Sequence, residues 1–420
     1  MIETISLLPG ITLRCFPDNR FKQGCLSLQI VRPMCREEAA VNALIPAILL
    51  RGCDGAPDLR SITLRLDDLY GASVGALVRR IGDYQTTGLY CGFISDRYAM
   101  SGDAILAPMI DFLGELLFRP LLEDGAFRKD FVESEKKNLI STIESQRNDK
   151  RAYAFSQLLN HMGKEDSFGI PRLGEVPQVA KITPQSAYDH YRKILQQSRI
   201  DLFYVGDAPA AVVAEKLRTL FSSIDRNYVN LPEQTAFSAS PADDVEETMD
   251  ISQGKLAIGY TSDITIRDDG FATMQVFNTL FGGGMTSKLF MNVREKLSLC
   301  YDISSGYHGA KGILTVAAGI DCEKKETVLQ EIETQLQACR QGDISDEELA
   351  AAKEALISAL RSAHDTPGAI ENYYASAALS GFALSREEHM RKIADVTAQD
   401  ICAAANGLTQ NTVYFLKGVS

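Results

Sequence analysis

The sequence predicts an α+β fold made of two related halves, and three observations lead to this prediction. Short runs with strand-like alternation are interspersed with helical patterns along the chain. The pattern stops between Ser222 and Asp250, and the part after this break matches the part before it at a constant offset. At about 150 residues per domain, a chain of 420 residues with 45% hydrophobic side chains can form two or three folding units.

The first half supplies strand and helix patterns in turn. The predicted strands are Ile11–Phe16, Cys25–Val31, Tyr84–Phe93 and Asp201–Val205, and the predicted helices are Ala39–Leu50, Ala104–Leu117 and Ala126–Glu144. Thr183 and Pro184 form an N-cap and a first helical residue, which predicts a further helix to Ile194. Ala211–Phe221 predicts another helix, so both kinds of element are mixed within one half.

The segment after this half predicts a linker. It carries two prolines and an acidic cluster formed by Asp243, Asp244, Glu246, Glu247 and Asp250. We therefore expect a first domain over residues 1–222, a solvated linker over 223–250 and a second domain over 251–420.

An internal repeat supports this division. One constant offset superposes several positions without a gap: Gly125 with Gly342, Leu139–Ser145 with Leu356–Ser362, Tyr84 with Tyr301, and Gly102 with Gly319. In both copies a sheet segment is followed by a helix, a glycine turn and a second amphipathic helix. Duplication of one α+β unit explains this order.

Composition excludes several classes of function. The 43 basic and 55 acidic side chains give a net charge of -12, which argues against binding to nucleic acid or to an anionic membrane. Met1–Pro9 lacks the features of a secretion signal, and no apolar run approaches the roughly 18 residues that cross a bilayer. Nine cysteines without a C-x-x-C pair predict reduced core thiols in a cytoplasmic protein.

No zinc motif is present in the sequence. A zinc hydrolase needs paired ligands one helical turn apart, and no histidine has another histidine within four residues. The nearest approach to H-x-x-E-H is Ser385–His389, which predicts a solvated, charged helix start capped by Ser385.

The glycines Gly282, Gly283 and Gly284 resemble a phosphate loop only superficially. Lysine does not follow the last glycine directly, and the helical pattern Phe271–Phe281 stands where a strand should precede the loop. We expect the glycines to form a flexible break between two helices, with Lys288 as an outward charge on the second.

Arg294 and Tyr301 lie on either side of a predicted helix-to-strand junction, between the helical run Ser287–Leu297 and a strand opening at Tyr301. An arginine fork can hold peptide carbonyls, and a tyrosine hydroxyl can donate to a developing oxyanion. The alternative is structural: Arg294 pairs with a nearby glutamate and Tyr301 fills a half-buried strand position. Composition and spacing alone favour this alternative.

The run LFGGGMTSKLFMNVREKLSLCYDISSGY (Leu280–Tyr307) resembles the C-terminal signature of pitrilysin/insulinase-type metallopeptidases, in the branch that includes the mitochondrial processing peptidases. Its arginine and tyrosine are Arg294 and Tyr301. Weaker similarity to the first half of those proteins extends over Gly169, Gly174, Lys181–Leu195 and Leu202–Asp207.

The resemblance implies a fold and a lost metal site. Members have two homologous α+β halves, each an antiparallel sheet with flanking helices, which together form half of a clam-shell chamber. Active members carry H-x-x-E-H in the first half, where this sequence has Ala43, Pro46 and Ala47. The third ligand, a glutamate, corresponds to Thr142, with the nearby Glu135 and Glu144 as the alternative positions in the alignment. No cofactor is expected in this chain, because no zinc ligand remains.

The resemblance also implies a partner. The chain is similar to the zinc-less subunit of bacterial two-chain peptidases, in which the other subunit holds zinc and this one holds the peptide substrate through Arg294 and Tyr301. His308 is a candidate peptide contact, with an ordinary strand histidine as the alternative, and Gly282–Gly284 is a candidate loop over the substrate. Two rival functions remain: a structural scaffold, and a homodimer that binds peptides without cleaving them.

Overall fold

The computed structural model describes residues 2–418, apart from the side chain of Ser101. The chain divides into two compact units. The first comprises Met1–Glu144, Pro171–Glu233 and His364–Leu379, and the second comprises Ser145–Ile170, Gln234–Ala363 and Ser380–Ser420. Each unit therefore combines most of one half of the sequence with a short segment of the other half.

Thirteen strands occur within residues 2–418. In chain order they are β1 (Glu3–Leu8), β2 (Ile11–Pro17), β3 (Gln23–Pro33), β4 (Ser73–Ile81), β5 (Tyr84–Ile94), β6 (Leu122–Glu123), β7 (Ala126–Phe127), β8 (Arg199–Gly206), β9 (Asp243–Met249), β10 (Gly254–Thr261), β11 (Cys300–His308), β12 (Ile313–Ile320) and β13 (Thr409–Gly418).

Fourteen α-helices occur in the same range. They are α1 (Arg36–Leu49), α2 (Leu59–Asp68), α3 (Leu106–Phe118), α4 (Lys129–Ser145), α5 (Lys150–Met162), α6 (Val176–Lys181), α7 (Pro184–Gln197), α8 (Ala210–Phe221), α9 (Phe271–Phe281), α10 (Lys325–Gln341), α11 (Asp346–Ser362), α12 (Pro367–Ser380), α13 (Arg386–Asp395) and α14 (Ala398–Asn406). A π-helix, Leu289–Lys296, lies between α9 and β11. The predicted α+β class is confirmed.

The two large sheets repeat one strand order. The first unit has β1-β2-β8-β3-β5-β4 and the second has β9-β13-β10-β12-β11. Neighbouring strands are antiparallel except β2 with β8 and β9 with β13, which are parallel. With β1 left aside, the five remaining strands of the first sheet match those of the second in order and direction.

The helices confirm the repeat that the sequence predicted. The offset that places Gly125 on Gly342 also carries α4 onto α11, and these two glycines, which precede the helices, have left-handed φ angles of 79° and 77°. The superposition of Tyr84 on Tyr301 was wrong, as was that of Gly102 on Gly319. Tyr84 begins β5, the second strand of the β4–β5 hairpin, whereas Tyr301 lies in β11, the first strand of the β11–β12 hairpin. The connection between the hairpin and the following helices therefore differs in length between the two halves.

The two faces of β3 contact different parts of the first unit. Leu26, Leu28 and Ile30 enter the main core with apolar side chains of the first-unit helices, because alternate residues point to one side of a sheet. Cys25 and Val31 on the opposite face pack against residues of α12. Both faces of this strand are therefore buried.

α5 and α12 occupy the same place in the repeat, and each belongs to the unit formed by the other half. α5 buries Leu158 and Met162 against Ala257 on β10 and Tyr414 on β13. α12 carries Glu371, which is fully buried and accepts hydrogen bonds from Ser27, Gln29 and Arg79. The sequence did not predict this exchange, since a helical pattern does not specify which sheet the helix covers.

The structure differs from the prediction in the last part of the linker. Residues 225–240 have no regular secondary structure, but Asp243–Met249, which contains most of the acidic cluster, forms β9. β9 pairs in parallel with β13 at the edge of the second sheet, and Lys325 lies 3.3 Å from Asp244 and 2.9 Å from Glu246. The acidic residues suit an edge strand, because charges there oppose pairing with another chain.

Two further predictions concern the whole chain. All nine cysteines are free, and six of them are buried, as the sequence predicted. Among residues 2–418, no helix is both long and apolar enough to cross a membrane.

Candidate functional site

The candidate site lies at the junction between the π-helix and β11 in the second unit. α9 ends at Phe281 as predicted, and the glycine loop leads into the next helix. That helix was predicted as an ordinary α-helix over 287–297, but residues 289–296 form a π-helix. π-Helical turns are rare and occur often at functional sites.

The glycine loop packs closely against the start of the junction. A Cβ at Gly282 would lie 2.8 Å from the backbone nitrogen of Ser305, and one at Gly283 would lie 2.7 Å from the Cα of Thr279. The carbonyl of Gly282 accepts a hydrogen bond from the Ser305 N–H at 2.9 Å. At Gly282 and Gly283, glycine is thus required by close approach, and the loop covers part of the free edge of β11.

A β-bulge places Tyr301. Cys300 pairs with Ile320 and Asp302 pairs with Gly319, so Tyr301 is an extra residue without a partner on β12. Bulges re-aim side chains and occur often beside active sites. The side chain of Tyr301 is 60% exposed, which excludes the half-buried strand position considered above.

Arg294 is held by the strand that follows it. Its Nε donates to the carbonyl of Tyr301 at 2.9 Å, and its guanidinium lies 4.6 Å from the ring centre of Phe290. Nη1 lies 3.2 Å from the carboxylate of Glu295. The arginine does pair with a glutamate, but both side chains are exposed, and such pairs contribute little to stability.

The Tyr301 hydroxyl already has an acceptor. It donates to Asp321 Oδ1 at 2.8 Å, and Lys324 Nζ lies 2.9 Å from Asp321 Oδ2. The hydrogen bond to Asp321 raises the pKa of Tyr301, and the contacts with Lys324 and then Tyr301 lower the pKa of Asp321. Tyr301 is therefore a protonated donor at neutral pH.

These side chains line one open cavity of 440 Å³. The lining residues are Arg294, Glu295, Ser298, Leu299, Cys300, Tyr301, Asp321 and Lys324. The cavity thus offers donors from Arg294, Tyr301 and Lys324 within reach of solvent. This arrangement can hold carbonyl or carboxylate oxygens of a peptide.

Asp321 and Lys324 were missed by sequence reasoning. They follow β12 and become neighbours of Tyr301 only through the hairpin of β11 and β12. Their own spacing of three residues indicates an ion pair, but nothing in the sequence connects that pair with Tyr301.

His308 lies at the far end of β11 from Tyr301. It lines a separate cavity of 360 Å³ together with Arg151, Phe155 and Thr315, and its ring centre is 5.5 Å from that of Phe155. At about 3.3 Å per residue along a strand, seven residues separate it widely from Tyr301. The structure does not bring His308 into the cavity of Arg294 and Tyr301.

The positions that the resemblance assigns to the zinc ligands of active members lie in the first unit. Ala43 and Pro46 are buried in α1, Ala47 is half-buried beside them, and Thr142 is an exposed residue of α4 whose hydroxyl donates to the Asn138 carbonyl. None of these side chains can replace an imidazole or a carboxylate as a zinc ligand, so the residues do not fit the metal. Across residues 2–418, no group of three or more His, Cys, Asp or Glu side chains could hold a metal ion.

Two further predictions were wrong in detail. Lys288 was expected as an outward charge, but it is only 6% exposed and lies 2.9 Å from Glu348, because the helix turns this side chain towards α11. Ser385 caps α13 as predicted, yet His389 is 3% exposed rather than solvated, and it bonds to Gln275 on α9.

Comparison with known proteins agrees with these features. Residues 181–356 match the family described as "Peptidase M16 inactive domain". A curated relative, "Probable inactive metalloprotease YmfF" of Bacillus subtilis (strain 168), is 31% identical over 409 residues, which cover 97% of this chain and 96% of the relative.

Solved structures have the same fold. A conserved protein from Enterococcus faecalis V583 is 29% identical with a TM-score of 0.91, over 100% of this chain and 99% of that chain. A peptidase M16 inactive domain from Pseudomonas fluorescens has a TM-score of 0.82 at 17% identity, over 100% and 98% of the two chains, and this likeness concerns the fold alone.

The two units and the absent metal ligands therefore define a peptidase-like protein without the catalytic motif of its class. In particular, the chain belongs to the M16 (pitrilysin) family of metallopeptidases and is one of its inactive members. The predicted family and the two-domain fold are confirmed.

Proposed function

We propose that the chain is the non-catalytic, substrate-binding subunit of a two-chain zinc peptidase that processes peptides. In this proposal it contributes Arg294 and Tyr301 to the active site of its partner. One observation carries the proposal: Arg294 and Tyr301 meet at one junction and line an open cavity, although the chain has lost every metal ligand.

Arg294 is suited to hold a peptide backbone. The bond from its Nε to the Tyr301 carbonyl orients the guanidinium beside the cavity. Nη1 lies beside the exposed carboxylate of Glu295. A peptide carbonyl can displace such a contact at little cost, because an exposed ion pair is weak.

Tyr301 is suited to donate to an oxyanion. Its proton is held by Asp321, so a tetrahedral intermediate would have to replace that carboxylate as acceptor. Both groups are exposed, and exchange of one hydrogen bond for another in water costs little free energy. In the proposal, the carboxylate keeps the hydroxyl oriented until substrate arrives.

The peptide itself is expected to lie along the edge of a sheet. β11 is an edge strand of the second sheet, and extended peptides commonly add to such edges. The Gly282 carbonyl already covers the Ser305 N–H and Arg294 Nε donates to the Tyr301 carbonyl, so a peptide would pair with the edge groups that these contacts leave free.

Zinc and the general base are assigned to the partner, a zinc-bearing relative with which this chain forms a heterodimer. α1 carries alanine and proline where those groups would be, so this chain alone is expected to be inactive. The nine free cysteines favour a reducing compartment, and we place the pair in the cytoplasm.

Co-expression tests the proposal. The chain is purified alone and together with an H-x-x-E-H-bearing relative from the same genome, and each preparation is analysed for zinc and for hydrolysis of a peptide library. We expect a one-to-one complex, one zinc per complex, and cleavage that exceeds that of the relative alone. A complex with the double variant Arg294→Ala, Tyr301→Phe should assemble equally well and cleave poorly.

Other results would favour the rival functions. A lone homodimer that binds peptides without cleaving them would favour a binding protein. A stable complex whose cleavage is unchanged by the double variant would favour a scaffold. Zinc and cleavage in the single chain would contradict the proposal outright.

A further inference from the structure

A third cavity, also of 360 Å³ and separate from that of His308, lies in the first unit where β5 and β8 end. Its walls include Phe93 on β5, Ile110 on α3 and Val213 on α8, all of them at most 4% exposed. Small-molecule sites typically measure about 300–1,000 Å³ and are lined mainly by apolar side chains. This cavity is at the small end of that range, so it suits a group of the size of one amino acid.

A buried hydroxyl lines the cavity. Tyr204 is 2% exposed, and its oxygen accepts a hydrogen bond from the Ala208 N–H at 3.0 Å. A phenol is also a donor, and its proton has no acceptor among residues 2–418. Because buried polar groups are nearly always hydrogen-bonded, the proton is available to an acceptor atom of a ligand.

The mouth of the cavity is negatively charged. Asp207 Oδ2 accepts from Ser95 Oγ and lies 3.1 Å from Arg97 Nε, while Oδ1 takes no bond within the described chain. Asp96 also lines the cavity and accepts the N–H groups of two residues at the start of α3. Because the start of α3 compensates part of the charge of Asp96, Asp207 Oδ1 is the carboxylate oxygen that favours a cation at this mouth.

We infer that the cavity binds the free α-amino group of an apolar amino-acid residue, either as a small amide or as the first residue of a peptide. The ammonium group contacts Asp207 Oδ1, the apolar side chain lies between Phe93, Ile110 and Val213, and the carbonyl oxygen accepts from Tyr204. A free carboxylate is disfavoured, because it would lie near Asp207 and Asp96. Neither the family nor the proposed role of Arg294 and Tyr301 requires this site.

Titration calorimetry of the full chain tests the inference with L-leucinamide as the probe. Saturable binding is expected, with a weaker response to L-leucine and none to N-acetyl-L-leucinamide, which lacks the ammonium group. The tripeptide Leu-Ala-Ala separates the two sources: binding comparable to that of leucinamide assigns the site to a peptide N-terminus, and binding of leucinamide alone assigns it to a small amide. Absence of saturable binding, or equal binding of the acetylated probe, overturns the inference.

Two variants locate the binding. Val212 is a rim residue that is 58% exposed, so Val212→Trp blocks the mouth without disturbing the core and should weaken leucinamide binding by at least roughly tenfold. Thr219→Trp, at an exposed position of the same helix outside the cavity, is the matched control and should bind normally. Tyr204→Phe should weaken binding about fivefold through the lost donor. Normal binding by Val212→Trp would place leucinamide elsewhere and overturn the assignment.

Discussion

The same helix-to-strand junction occurs in both units, and its arginines differ in what they contact. α2 leads into β4 in the first unit, and the π-helix leads into β11 in the second. Arg65 on α2 donates twice to Glu115, at 2.6 and 2.8 Å, whereas Arg294 contacts the Tyr301 carbonyl, the Phe290 ring and the adjacent Glu295. The first arginine is committed to structure, and the second remains accessible.

Backbone strain does not distinguish the junctions. Ser298 has a left-handed φ of 51°, which by itself suggests a functional position. In the first unit, Tyr70 and Gly71 between α2 and β4 have φ angles of 59° and 72°. The left-handed residue is therefore a feature of the repeated fold, and the contacts of the arginine are what mark the candidate site.

The exchanged helices α5 and α12 show a second difference between the units. The offset that superposes α4 on α11 also places Ala154 of α5 on Glu371 of α12. The corresponding strands carry Ser27 and Gln29 in the first unit, but Ala257 and Gly259 in the second. A buried charge and its polar partners thus lie under α12 in the first unit, whereas Ala257 and Gly259 lie under α5 in the second.

The largest expected effect concerns this buried charge. Glu371→Ala should lower the free energy of unfolding by about 3–5 kcal/mol, because Arg79 loses the carboxylate that compensates it. Chemical denaturation measures the change. Asn372→Ala, at the exposed neighbouring position, should cost far less. Equal effects of the two variants would show that the polar contacts of α12 are dispensable.

Tyr301→Phe tests the functional side of the comparison. In an assembled, active pair it should lower turnover by about 10²–10³, the usual effect of losing one oxyanion donor, and leave assembly intact. Steady-state kinetics and size-exclusion chromatography measure the two quantities. Tyr98→Phe, at an exposed tyrosine of the first unit, is the control. Unchanged turnover would remove Tyr301 from the mechanism.

Acid should weaken both units through one histidine in each. Burial lowers the pKa of His389 from 6.5 to about 4, so the unfolded chain binds the proton first. The stability from this group is complete above pH 6.5 and is lost as the pH falls to 4, by about 2–3 kcal/mol. Burial also lowers the pKa of His190 to about 4, so by the same linkage this residue should contribute a similar amount in the first unit.

Denaturation at a series of pH values, with His389→Gln and His190→Gln, measures these contributions. Each variant should flatten the acid branch of the stability curve by a similar amount. A much larger effect of one variant would assign the acid sensitivity to the unit that carries that histidine.

The smallest expected effects are those of Arg65→Ala and Arg294→Ala, which distinguish a structural arginine from one that binds substrate. Arg65→Ala should destabilise the protein by about 1–2 kcal/mol, because Glu115 loses both hydrogen bonds from Arg65. Arg294→Ala should change stability by less than about 0.5 kcal/mol and instead raise KM roughly tenfold in the active pair. A stability loss for Arg294→Ala with a normal KM would give this arginine the same structural role as Arg65.

Glycine and capping residues in the sequence correctly predicted the helix ends at which they stand. Glycines stop α9 at the predicted residue, and Thr183 with Pro184 starts α7 through a capping box. Arg294 and Tyr301 were found through a local motif. By contrast, the π-helix, the bulge at Tyr301 and the contact with Asp321 arise from packing between distant segments. β9 was also missed, because its acidic residues suggest solvent when its partner strand is unknown.

The exchange of α5 and α12 has a consequence for synthesis on the ribosome. Protein domains generally fold in the order in which they emerge. Here the first sheet stays uncovered on one face until residues near 370 have been translated, because α12 supplies that cover. The nascent first half thus presents an apolar surface for much of translation, and a chaperone that shields it would assist the yield of the finished chain.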